Sequence, residues 1–134
     1  MALSATLSES LTVSLSGATQ FWDIAHGNPL TGGNASNPGD AAITVTTTWV
    51  LTPGRASVAV YAYFASATAA LVGPLGPTNV ASSILEITVG GVGPTPVSGN
   101  NLGFGVAGSS SLLDTIAITG ANKNSSKADV LTFN

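Results

Sequence analysis

The sequence predicts an all-β fold, an immunoglobulin-like antiparallel β-sandwich with a long N-terminal strand. Three observations lead there. Apolar residues recur with a period of two, the charged and amide residues that favour helices are scarce, and Gly/Pro/Asn/Ser loops separate the alternating runs. At 134 residues the chain fits one domain, 1–134, with a strand-forming segment at 1–16 and a sandwich body at 17–134.

The first element is "ALSATLSESLTVSLS", residues 2–16. Leu3, Ala5, Leu7, Leu11, Val13 and Leu15 hold odd positions, and every even position is Ser, Thr or Ala. Alternation of this kind gives a strand with one apolar face. Fully extended it would reach about 50 Å at 3.3 Å per residue, where strands usually run to about six residues. Glu9 is the one charge on the apolar face. The strand could bend at Glu9, leave that residue at the rim, and serve both sheets of its own body. It could instead complete the open sheet edge of a neighbouring molecule, as in β-strand addition. A disordered arm is the third reading, and the regular alternation speaks against it. We carry the second forward, with Leu3, Leu7, Leu11, Val13 and Leu15 as donor-strand contacts between subunits.

The next elements lie at 43–64. Ile43, Val45, Trp49 and Leu51 alternate with Thr44, Thr46, Thr48 and Val50; "TPGR" (52–55) follows, and then Val58, Val60, Ala62 and Phe64 share a face. Pro53-Gly54 suits the centre of a type II turn, so 43–64 reads as a β-hairpin. Further strands are expected at 84–89, 102–106, 112–119 and 128–134, with Asp114 falling on an otherwise apolar face. Residues 65–71 fit a helical turn or another strand. The intervening stretches 27–40, 73–79, 90–101, 107–111 and 120–127 read as loops.

Composition bounds the function. Charged residues make up 7% of the chain, against about 25% in ordinary soluble domains. Three cations against six carboxylates give a net charge of −3, too few to follow a phosphate backbone or an anionic membrane. The longest apolar stretch, 56–72, is interrupted by Ser57, Tyr61, Tyr63, Ser66 and Thr68 and is no bilayer span. No charged n-region followed by an apolar h-region opens the chain, so Met1 is a native start or one added to a mature secreted chain. Low Lys with abundant Ser, Thr, Gly and Asn fits the second, and the expected location is extracellular, at the cell surface. With no cysteine, neither disulfides nor thiolate metal sites are available.

Catalytic chemistry finds little to work with. The one histidine, His26, follows Asp23 by three residues in "FWDIAHGNP", yet no G-x-S-x-G elbow accompanies them. The stretch reads as a loop turn anchored by Phe21 and Trp22. Asp23, His26 and Asp40 match no calcium loop or H-x-x-x-H pair, and the Gly-rich "VGGVGPTP" carries no lysine for a phosphate. We therefore assign no catalytic, cofactor or metal residues and expect no enzyme. Tyr61 and Tyr63 lie opposite the inward side of their strand. They make a candidate surface aromatic contact, which with Trp22 or Trp49 would suit a secreted carbohydrate-binding module; the plainer alternative buries both tyrosines. Asn34-Ala-Ser36 and Asn124-Ser-Ser126 match the N-glycosylation triplet.

"KADVLTFN" stops at Asn134 within an expected strand, which would leave one sheet edge bare. A bare edge in so uncharged a protein invites association, and a head-to-tail contact repeats into a filament unless it closes. In "LLDTIAITGANKNSSKADVLTFN" (112–134) a polar Asn/Ser/Lys-rich turn joins two alternating strands, the second with Asp129 before Val130, Leu131 and Phe133. This stretch resembles the C-terminal part of bacterial secreted immunoglobulin-like domains of the spore coat protein U and chaperone–usher pilin type. The resemblance implies surface appendages or coats built by exchange of an N-terminal strand, with a periplasmic chaperone and an outer-membrane usher as partners and no catalytic residues. The chain departs from that pattern in lacking the cysteines for the pilin disulfide and in showing no closing strand up to Asn134. The expected function is a structural subunit of an extracellular, pilus-like filament or coat, a homopolymer of this chain. A viral or phage coat or decoration protein and the carbohydrate-binding module are the alternatives.

Overall fold

A computed structural model describes residues 8–17, 19, 20, 22, 27, 29, 31, 36–64, 66–72, 79–97 and 110–134. Over these the protein is all-β. The strands are β1 (Ser10–Leu15), β2 (Ile43–Val50), β3 (Ser57–Ala62), β4 (Leu71–Val72), β5 (Asn79–Val80), β6 (Glu86–Val89), β7 (Val92–Pro96), β8 (Ser111–Ala117) and β9 (Asn124–Phe133), with one 3-10 turn at Ser82–Ile84. Every pairing is antiparallel. Five strands form a sheet in the order β1-β2-β9-β6-β7, β3 pairs with β8, and β4 pairs with β5.

The five-stranded sheet and the β3-β8 pair pack against each other in a sandwich-like arrangement. Val45 from β2, Leu131 from β9 and Val60 from β3 form one cluster, with Val89, Leu113 and Phe133 against it. Trp49, Leu51 and Val58 form a second, closed by Ile116 and Ile118. Alternation explains the faces: Ile43, Val45, Thr47 and Trp49 are buried on β2 while the residues between them are not.

The expected hairpin at 43–64 is corrected by this topology. β2 pairs with β1 and β9, whereas β3 pairs with β8 in the other sheet. The turn chemistry was legible, since Gly54 adopts φ +102°, as the third residue of a type II turn requires. The partner was not. Six residues, 51–56, separate the strands, and Leu51 and Val58 fold onto one core cluster, so the corner carries the chain between layers. Residues 118–123 make a second such crossing from β8 to β9. There Asn122 accepts the Thr119 amide at 2.6 Å and donates to the Ala117 carbonyl at 2.9 Å.

The C-terminal strand is also placed differently from expectation. β9 begins at Asn124 and is the middle strand of its sheet, flanked by β2 and β6, so the bare edges lie elsewhere. The ladder to β6 continues to the last residue through reciprocal bonds of 2.9 Å between Glu86 and Asn134. β7 occupies part of a stretch expected to be loop, because Pro94 and Pro96 argue against a strand; it lies at the sheet edge, where prolines are tolerated and blunt further pairing. The expected strand at 102–106 lies outside the described residues.

Candidate functional site

The interior of the sandwich opens on one side. β1 ends the five-stranded sheet and β3 ends the smaller one, and between these edges runs an apolar groove with a cavity of about 510 Å³. Its register follows from the ladder. Leu11 lies opposite Trp49, Val13 opposite Thr47 and Leu15 opposite Val45, so the three side chains share the core face of β2. They nevertheless remain 56%, 57% and 55% exposed, because the β3-β8 pair does not extend beneath them. Residues 58–64 form the facing wall. Side chains of both parities line it, as expected where the edge of a strand borders the space.

Two sets of predicted site residues meet here. Leu11, Val13 and Leu15 line one wall, and Tyr61 and Tyr63 line the other, Tyr61 half-buried and Tyr63 54% exposed. The tyrosines thus border a cleft between sheets. Leu3 and Leu7, the remaining donor-strand residues, lie outside the described residues, as do Asp23 and His26. Trp49 is removed from the list of surface aromatics. It is 1% exposed, and its Nε1 donates to the Asn122 carbonyl at 2.8 Å. Trp22 is half-buried and donates to the Asn37 carbonyl at 2.7 Å.

The segment expected to complete a neighbour's sheet lies, over Ser10–Leu15, in its own. In the single chain, β1 pairs with β2, and Glu9 sits at the rim where the bending alternative would put it. Its carboxylate accepts hydrogen bonds from the Thr52 amide at 2.9 Å, the Thr52 hydroxyl, and Arg55 Nε and Nη2 at 3.0 and 2.6 Å. Hydrogen bonding from Arg55, then from the Thr52 hydroxyl and amide, lowers the Glu9 pKa to about 2. Opposite charge on the lone arginine was the available sequence signal for this contact; the spacing of 46 residues concealed it.

A second polar feature lies on the interior face. Asp114 on β8 and Asp129 on β9 approach Lys127 Nζ at 2.6 and 3.2 Å, so the ion pair spans the two sheets. This accounts for the charge that Asp114 places on an apolar face. The Asp114 hydrogen bond raises the Lys127 pKa. Nearby, Thr47 is 1% exposed on the groove floor, and its hydroxyl has no partner among the described residues. Sequence alternation marks Thr47 as inward; nothing in it shows that the hydroxyl would be left without a partner.

Among the described residues no group of three or more His, Cys, Asp or Glu could hold a metal ion. The groove can offer apolar contact along two strand edges that are unpaired among the described residues, which is chemistry for an extended chain. Comparison with family models, curated proteins and solved structures finds no match.

Proposed function

We propose that the chain is a structural subunit of an extracellular filament or coat, an immunoglobulin-like sandwich joined to further copies of itself by β-strand addition. The observation that carries this reading is the groove between the edges of β1 and β3, which are free among the described residues, with three aliphatic side chains half-exposed on its rim. Adding a strand there would satisfy edge amides and carbonyls and cover that apolar surface.

The donor is the part of the N-terminal alternation upstream of β1, carrying Leu3 and Leu7. Residues 2–9 contain no Gly, Pro, Asn or Asp, the residues that most readily reverse a chain, so folding back into the groove beside its own β1 is disfavoured. Residues 2–8, uncharged and with apolar side chains at every second position, suit an uncharged groove. At roughly 1.5–3 kcal/mol for each fully buried aliphatic side chain, together with edge hydrogen bonds, the contact would support lasting assembly. The opposite sheet edge is a poor acceptor, because β7 places two prolines within five residues.

Size-exclusion chromatography and negative-stain microscopy of the intact chain test the reading, beside a variant lacking residues 2–7. The intact chain is expected to assemble with rising concentration, and the shortened chain to stay monomeric. A synthetic peptide of residues 2–8 should then bind the shortened chain and raise its melting temperature. An intact chain that stays monomeric at high concentration, or a shortened one that assembles equally well, would sink the proposal.

A further inference from the structure

The geometry points to Glu9 as the register pin of β1: its contacts with Thr52 and Arg55 select one alignment of a strand whose own pattern permits two. These contacts lie within the single chain and set its register whether or not copies assemble.

A one-residue slip of β1 would turn Leu11, Val13 and Leu15 to the outer face and is strongly opposed. A two-residue slip is different. Moving the strand so that Leu7 takes the place of Glu9 sets Leu11 opposite Thr47, Val13 opposite Val45 and Leu15 opposite Ile43. Three aliphatic side chains still line the groove, Ser and Thr still face outward, and the ladder to β2 keeps its length because Ser8 and Glu9 enter it. Among the described residues β1 has no other neighbour in its sheet, and no second ladder there opposes the movement. The slip in the other direction is self-limiting, because Gly17 interrupts the alternation and would leave fewer residues paired.

What the permitted slip loses is Glu9. In the observed register its carboxylate accepts four hydrogen bonds at the corner formed by Thr52 and Arg55. After the slip it would lie opposite Trp49, against the apolar groove, where a carboxylate has no donor and desolvation opposes it. One charged residue among fifteen thus breaks a degeneracy that the other fourteen leave in place. It also fixes how much of the N-terminal alternation remains upstream of the body.

Pulsed spin-label distance measurement reads the register directly. The chain has no cysteine, so Thr12→Cys and Thr132→Cys introduce the two labelling sites, both exposed and on the outer face. The parent is expected to give one distance. Glu9→Leu, which restores unbroken alternation, is expected to add a second population shorter by about 6 Å, the movement of two residues at 3.3 Å each. Since Glu9→Leu also makes the strand more apolar, Arg55→Gln, which leaves β1 untouched, is measured beside it and should shift the same way. A single, unshifted distance in both variants would overturn the assignment.

Discussion

The corner built on Trp49 and the groove beside Val13 are parts of one sheet face, on neighbouring strands, and they differ in almost everything but pattern. At the corner, Trp49 and Leu51 meet Val58 from the facing layer, with Ile116 and Ile118 around them. Two crossings between sheets close the space, and the Trp49 indole and the Leu51 amide bond to carbonyls of the second, at Asn122 and Lys123. On β1 the same alternation yields Leu11, Val13 and Leu15 more than half exposed. The difference teaches that an apolar face is a capacity for burial, realised only where an opposing element lies above it.

The largest expected effect lies in the closed region. Trp49→Ala should destabilise by about 3–5 kcal/mol, the usual range for removing a buried aromatic, whereas Leu11→Ala should cost about 1 kcal/mol or less because its side chain is already half in water. Denaturant titration of both variants as monomers measures the contrast, and equal losses would erase it. Under assembling conditions the Leu11→Ala cost should rise, since a docked strand covers that side chain.

Thr47 sits where the two regions meet, on the groove floor, its hydroxyl without a partner among the described residues. Thr47→Val keeps the shape and removes the polar atom. It should raise the stability of the monomer by about 1 kcal/mol, read as a higher denaturation midpoint with an unchanged slope. A loss of stability would mean that the hydroxyl has a partner in solution and that the floor of the groove is polar.

The smallest effect is electrostatic and concerns the rim. The Glu9 pKa is lowered from 4.5 to about 2 in the folded chain, so the carboxylate is favoured by folding. Its contribution is whole above the unfolded value and is lost as pH falls from about 4.5 toward 2. The stability gap between the parent and Glu9→Gln should therefore be constant from neutral pH down to that window and close within it. A gap that persists unchanged at the acid end would show that the carboxylate does not titrate with folding.

Some of this was written locally. The inward residues of β2 and the left-handed Gly54 turn follow from side-chain period and turn chemistry, which act over a few residues. The donor-strand and aromatic candidates were each visible as patterns, yet their meeting at one groove was not, because 46 or more residues separate Leu15 from Tyr61 and only folding joins them.

The sequence by itself determined that the chain forms strands, which face of β1, β2, β3, β6 and β9 is apolar, and where Pro53-Gly54 turns it. Tertiary structure alone decided that β2 and β3 belong to different sheets, that β9 is a central strand, that Glu9 meets Arg55, and that β1 is left half-covered. The reason is that alternation fixes the direction of a side chain but carries no record of which strand lies beside it. Partner choice depends on how two layers of apolar surface cover one another, a property of the whole packed body rather than of any short run of residues.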